Sequence, residues 1–486
     1  MAKSTALEIE QNGLNVIPES ERHGTPRQQF WPWAASNISV FGISYAGFIL
    51  NFGLNFGQAL IAALVGIIFS FSLVGIIALA GKRGSAPTLV LSRAAFGVNG
   101  NALPTFVSYL LLVGWETVLV SLGVIATDTV TQKLGLMIGE NNIGTKIIAF
   151  VVIVGIVISS GVYGFKFIMR IQKWITLASI VLTGVFMVLT ASSINFAAIG
   201  QGAGGDAAAV VAGIVFAMTG FGIGWVNGGA DYSRYLPRNA SGKAIFGWTT
   251  FGASIAPIVL IVYGLMLSLS NQEIGKGIGS DPIGSLTLAL PASASWFLLP
   301  YLLVVLLGFM GGAILDIYSS GLNLLTLGLK LKRYQAAAVD GVLMVIGTIY
   351  FVFLASNFFW PFQAFLYILG VPMAAWAGIF IADMLHRKKN YDDASLYSAS
   401  GRYGSVNFVT VGVMVVASIV GFGFIVSPDA SLTWTLWEGY LFAAMGITAD
   451  NSAWYWSNIG VLLAIVVGFA GQLLLGRGFV RKQEQG

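Results

Sequence analysis

Twelve stretches of this chain are apolar on every side for close to twenty residues or more, and that feature alone fixes the class of structure. They cover residues 34–54, 58–80, 104–134, 146–163, 174–193, 208–230, 244–270, 296–329, 336–355, 361–384, 406–426 and 454–475. A helix crossing the ~30 Å hydrocarbon layer needs about 20 such residues. In lipid only a helix or a closed barrel satisfies its own backbone hydrogen bonds. Barrel strands would alternate over about ten residues, which these runs do not. Of the 486 residues, 56% are hydrophobic and 9% charged, against about 25% charged in soluble chains. A soluble domain and a disordered chain are both excluded. The sequence therefore predicts an all-α polytopic membrane protein of twelve transmembrane helices. Some thirty mostly polar residues precede the first run, so it reads as a permanent span and not a cleaved leader.

The basic residues give the orientation. With the N-terminus inside, 22 of the 25 Lys and Arg fall in inner segments, and only Lys133, Lys146 and Lys276 fall in outer ones. The positive-inside rule then predicts a cell-membrane protein with both termini cytoplasmic. The same distribution accounts for the net charge of +5 without a nucleic-acid partner.

Two spans look breakable. The first carries Asn37-Ile38-Ser39-Val40-Phe41-Gly42-Ile43-Ser44, and the sixth carries Gly220-Phe221-Gly222-Ile223-Gly224-Trp225 followed by Asn227, Gly228 and Gly229. Glycine costs about 1 kcal/mol relative to alanine inside a helix. A five-helix repeat is inverted in the membrane, and spans one and six occupy matching places in two such repeats. Interrupted helices at matching places point to a transporter's substrate site; close packing through small residues is the competing explanation. The expected organisation is an N-terminal segment (1–30), two inverted repeats (31–195 and 206–385), two extra helices (405–475) and a short tail (476–486).

A charge at mid-bilayer costs roughly 2.5–3.5 kcal/mol on insertion scales. Glu116 lies near the middle of span three, and Asp316 lies well inside span eight. Gly308, Gly312, Ser320 and Asn323 share one helix face with Asp316. Asp128 is placed near the hydrated outer end of span three, and Asp340 and Asp383 near cytoplasmic helix ends. Trp115, Phe221 and Trp225 lie deeper than the interfacial tryptophans, and flat apolar walls from two helices suit a planar heteroaromatic ligand. With no Cys and two His, there is no basis for a thiolate or zinc centre, so neither a cofactor nor a bound metal is expected.

The stretch Gly81-Lys82-Arg83-Gly84-Ser85-Ala86-Pro87-Thr88, running on to Leu91-Ser92-Arg93-Ala94-Ala95-Phe96-Gly97, resembles a loop of the nucleobase:cation symporter-1 family. The likeness is to its purine/cytosine permease branch. Val16-Ile17-Pro18-Glu19-Ser20-Glu21-Arg22, Val113-Gly114-Trp115, Ala230-Asp231-Tyr232-Ser233-Arg234-Tyr235 and Gly378-Ile379-Phe380-Ile381-Ala382-Asp383 match in order and spacing. The resemblance implies a five-plus-five inverted repeat of the leucine-transporter type with two added helices. It also implies cation-driven import of a nucleobase, a cytosine- or purine-like heterocycle. The implied ring sandwich is Trp115 with Trp225 or Phe221. Asn37, Ser39 and Ser44 on helix one and Gly312 on helix eight complete the implied substrate set. Family members often carry Asn on helix eight where this chain has Gly311-Gly312-Ala313-Ile314-Leu315-Asp316, so allantoin, a hydantoin or a vitamin-like heterocycle are alternative cargoes.

A channel would need rings of like residues about a symmetric pore. A membrane enzyme would need a nucleophile–base or metal constellation that is not visible, and a sensor without flux would be separated from a carrier only by an uptake measurement. No hydroxyl stands between Gly308 and Leu315 to help ligate sodium. A buried acid without a fixed cationic partner is a suitable proton carrier. The coupling ion is therefore read as H+ ahead of Na+, with Asp316 ahead of Glu116 as its site. The chain is expected to work as a monomer.

Overall fold

The computed structural model describes residues 13–279, 281–354, 358–429 and 431–485, and it contains no strand among them. Among the described residues, nine helices are individually long and apolar enough to cross a membrane. The first span is a bent pair, Pro26–Asn37 and Phe41–Leu50, which meet at 65°. The last two runs form shorter helices, Phe408–Phe422 and Gly460–Leu475, or about 22–24 Å at 1.5 Å per residue. Ala453–Trp456 is a separate 3-10 turn, so the twelfth helix begins later than its hydropathy suggests. The helices follow one another in the order of the twelve predicted runs. Residue 355, the end of the ninth run, lies outside the described residues.

Local chemistry sets several helix starts. Asn55 and Gln58 form a reciprocal capping box at the head of span two (Phe56–Gly84). Asp206 and Ser241 cap spans six and seven by accepting from Ala209 N–H and Ala244 N–H.

Both expected breaks are present. In span one the helix ends at Asn37, Ile38 takes φ −91° and ψ 85°, and helical geometry resumes at Phe41. Span six is α-helical over Ala207–Gly220. Phe221 then leaves helical geometry (φ −120°, ψ −98°), and a 3-10 segment, Gly222–Gly228, follows. Gly222 permits this path, since a Cβ there would stand 2.4 Å from Ser70. Instead the Gly222 N–H donates to Ser70 Oγ at 3.2 Å.

Packing gathers eight of the first ten spans into two bodies. Span seven (Gly242–Ser270) lies along spans one and two, and span six along span two. Span eight (Leu298–Thr326) lies along spans three (Ala102–Lys133), four (Ile143–Tyr163) and nine (Arg333–Ile349). Span ten (Phe359–His386) packs against the eleventh and twelfth helices and span three. The broken spans run through the first body, and the buried acids Glu116 and Asp316 sit on the second.

The Lys/Arg-rich loops meet at one end of the molecule. Arg83 donates to the carbonyls of Arg387 and Lys389, Arg93 to those of Leu396 and Thr326, and Lys82 to that of Ala240. Residues 13–29 lie across this end as a strap. Ile17 N–H donates to Ser85 O, His23 N–H to Tyr235 O, and Tyr397 donates its hydroxyl to Leu14 O. Arg238 bridges Glu19 at 3.1 Å and Asp393 at 3.4 Å.

Candidate substrate and coupling site

Where the two breaks face each other, a small cavity opens between the bodies. Six of the residues anticipated from sequence border it: Asn37, Ser39, Trp115, Phe221, Trp225 and Asp316. The carbonyls and amides freed by broken helices can remain at this depth because they face a cavity or are covered by protein.

Trp115 projects from span three toward the unwound part of span six. Its Nε1 would stand 2.7 Å from a Cβ on Gly224, so glycine is what lets the indole reach that backbone. The other two rings have other neighbours. Phe221 packs on Tyr45 (centroids 4.5 Å apart) and Trp225 meets Trp33 edge-on at 5.8 Å. The three aromatics therefore border one cavity from different sides.

The polar groups divide sharply. Asn37 spends both amide hydrogens on Trp33 O and Ser36 Oγ, each at 2.9 Å, which leaves its Oδ1 as an acceptor for a ligand. Ser39 Oγ accepts from Phe41 N–H at 3.3 Å and keeps its own proton for donation. The indole N–H of Trp115 and Asp316 Oδ2 are buried with no hydrogen-bond partner among the described residues. Two residues that border the cavity, Trp115 and Asp316, thus each carry an unpaired polar atom beside a space walled by aromatic rings.

Three of the anticipated residues are placed elsewhere. Ser44 is fully buried and donates to Pro282 O, so it pins span one to the segment before span eight. A Cβ on Gly312 would meet Leu119 at 2.7 Å, and it is Gly308, one turn earlier, that borders the cavity. Gly308 is required there because Ser39 Cβ would lie 2.9 Å from any Cβ. Glu116 faces away from the cavity and accepts from Ser320 Oγ at 2.6 Å.

Two further acids are buried. Asp340 lies in the first half of span nine, fully buried there and in contact with Ser320. Asp128 is 9% exposed and ion-paired with Lys146 at 3.1 Å, with Asn142 also donating to it. The sequence offered no signal for Tyr45 and Leu119, which also border the cavity, because an apolar residue in an apolar run carries no mark. Phe362 of span ten, 5.6 Å from Trp115 and 6.1 Å from Phe41, escaped notice for the same reason.

Next to the cavity, Asp231 ties the bodies together. Its carboxylate accepts from Thr88 N–H at 2.8 Å, Thr88 Oγ1 at 2.7 Å and Ser319 Oγ at 2.7 Å. At the end of span ten, Arg387 holds Asp383 through Nε and Nη2 at 2.5 and 3.0 Å, and Nη2 also reaches Ala94 O. Among the described residues no group of three or more His, Asp or Glu side chains converges as a metal site.

Two broken spans around a shared cavity, set in an all-helical five-plus-five frame, define a secondary transporter of the inverted-repeat class. The chain belongs to the family of permeases for cytosine/purines, uracil, thiamine and allantoin, whose sequence pattern matches residues 16–446. A protein of Bacillus subtilis (strain 168) carrying the name purine-cytosine permease YxlA is 24% identical over 431 residues, which is 86% of this chain and 89% of that one. Purine-cytosine permease FCY21 of Saccharomyces cerevisiae is 23% identical over 297 residues, 59% of this chain and 54% of that one. Among solved structures, the nucleobase-cation-symport-1 transporter Mhp1, closed with bromovinylhydantoin bound, superposes with a TM-score of 0.72 at 21% identity. The match covers 99% of this chain and 96% of Mhp1. A Na+-coupled sialic acid symporter superposes with a TM-score of 0.58 at 12% identity, over 94% of this chain and 91% of its own. These two likenesses establish the fold. The chain is a multi-pass membrane transporter and not an enzyme.

Proposed function

We propose that this transporter imports a small planar nucleobase-like heterocycle, cytosine- or purine-like, by proton symport around the cavity at the two helix breaks. The observation that carries this reading is the pairing of aromatic walls with one unused donor, Trp115 Nε1–H, and one unused acceptor, Asp316 Oδ2. A nucleobase presents flat faces for stacking and alternating donors and acceptors on its edge. Asn37 Oδ1 and the Ser39 hydroxyl are the remaining groups for that edge.

Proton coupling is preferred to sodium because span eight is poor in ligands opposite the first break. Gly308 presses on Ser39, and the Gly311 carbonyl already accepts from Gln172 Nε2 at 2.7 Å. No hydroxyl is available between Gly308 and Leu315, whereas the Asp316 carboxyl reaches the cavity. The inward direction follows from coupling to a proton gradient directed into the cell.

The test is uptake of labelled cytosine, adenine, allantoin and a hydantoin into proteoliposomes, with a pH gradient or a sodium gradient imposed separately. Accumulation of a nucleobase driven by the pH gradient alone is expected. Accumulation that follows sodium alone overturns the coupling assignment, and transport of only allantoin or the hydantoin overturns the cargo.

A further inference from the structure

Behind the aromatic wall, three fully buried side chains from three spans converge: Glu116 of span three, Ser320 of span eight and Asp340 of span nine. Ser320 Oγ lies 2.6 Å from Glu116 Oε1 and is also in hydrogen-bonding contact with Asp340 Oδ2. A serine hydroxyl carries one proton and can donate to one acceptor at a time, while its lone pairs can only accept. Two ionised carboxylates would offer acceptors alone. One contact would then have oxygen facing oxygen with no hydrogen between them. The arrangement closes only if one carboxyl brings a proton of its own: it donates to Ser320, and Ser320 donates to the other.

The surroundings bear this out. The outer oxygens, Glu116 Oε2 and Asp340 Oδ1, are buried with no hydrogen-bond partner among the described residues. Tyr109 of span three is 5% exposed and faces Asp340 with a hydroxyl that has no partner of normal geometry. The other titratable group facing the pair is Asp316, one turn before Ser320 on span eight, which brings a further negative charge toward the pair whenever it is ionised. On span nine, Arg333 directs its guanidinium to the carbonyls of Gly161 and Val162 and over the ring of Tyr318.

We propose that Glu116 and Asp340, bridged by Ser320, form a proton-binding site separate from the substrate cavity, which releases and regains one proton during the transport cycle. The steps from Asp316 to Ser320 along one helix face, and from Ser320 to Asp340, place it next to the cavity acid. Ser320 links Glu116 of span three to Asp340 of span nine, so the proton decides whether two negative charges stand face to face across it. The bond changes are simple: an O–H bond of one carboxyl breaks as the proton leaves to water, and the same bond reforms on its return.

This inference adds a second proton to the proton-coupled reading above, and the two can fail separately. Infrared titration of the purified protein should show a protonated-carboxyl C=O band that disappears on raising pH. That band should be lost in Glu116→Gln/Asp340→Asn and kept in Asp316→Asn. In proteoliposomes, the substrate gradient that halts net flux at a fixed pH gradient should correspond to one proton fewer per substrate in the double variant. If the double variant cannot be purified, Glu116→Gln alone, which refills the same volume, should remove the titrating band equally. An unchanged band and an unchanged proton ratio in either variant would overturn the site. Absence of pH-driven uptake in the wild type would instead overturn the coupling reading, with the infrared titration still deciding the pair.

Discussion

The indole nitrogen of Trp115 stands so close to the backbone of Gly224 that even a methyl group there would come within 2.7 Å of it. Span three thus touches span six at the point where span six is unwound, and the position of the stacking ring depends on a missing side chain.

Gly224→Ala should displace the Trp115 ring without removing it. Overpacking of a filled site costs about 1–3 kcal/mol, so substrate binding should weaken by roughly that amount while the protein still inserts. Ligand-induced thermal stabilisation across a concentration series measures this. Unchanged affinity would show that the ring is not held against Gly224 when substrate is bound.

Trp115→Ala removes one wall. The expected loss is about 1–3 kcal/mol, the worth of one stacked base, whereas Trp115→Phe should recover most of it. Equal affinities for wild type and Trp115→Ala would place the heterocycle elsewhere.

Asp316→Asn keeps the volume and the acceptor oxygen but removes a carboxyl that can exchange a proton. Accumulation driven by a pH gradient should fall to the level reached without one. Exchange of internal for external substrate, which needs no net proton movement, should continue. Comparing the two assays in the same vesicles checks this, and accumulation with its pH dependence intact would move the coupling proton off Asp316.

Arg387→Ala should be among the most destabilising single changes in the chain. It leaves Asp383, 1% exposed, without its bidentate partner, and stranding a buried charge typically costs about 3–5 kcal/mol. The melting temperature in detergent should drop. The double change Arg387→Ala/Asp383→Ala should recover part of the loss, since no charge is then left unpaired.

The breaks in spans one and six were legible because Gly, Ser and Asn interrupt runs that are otherwise uniformly apolar. Trp115, Phe221, Trp225 and Asp316 were legible because deep tryptophans and intramembrane acids are rare enough to stand out. Ser44 was not, since its direction depends on the carbonyl of Pro282, in a segment with no periodicity to read. Gly312 and Gly308 are one turn apart on the same face, and only the approach of Ser39 decides which of them meets the cavity. The full burial of Asp340 was not legible, because its setting is decided by Ser320 on another span. Tyr45 and Phe362 look like any other ring in an apolar helix until the fold brings them together.

The strap formed by residues 13–29 bonds to Ser85, Tyr235, Arg238 and Tyr397, which belong to three different inter-span loops. Any opening of the cavity toward that end has to part these ties. Exposure of the Ile17 backbone, followed by amide hydrogen exchange, therefore works as a clock for that opening. The same ties make residues 13–22 a handle: a binder that clamps them onto the loops would slow turnover without touching the cavity.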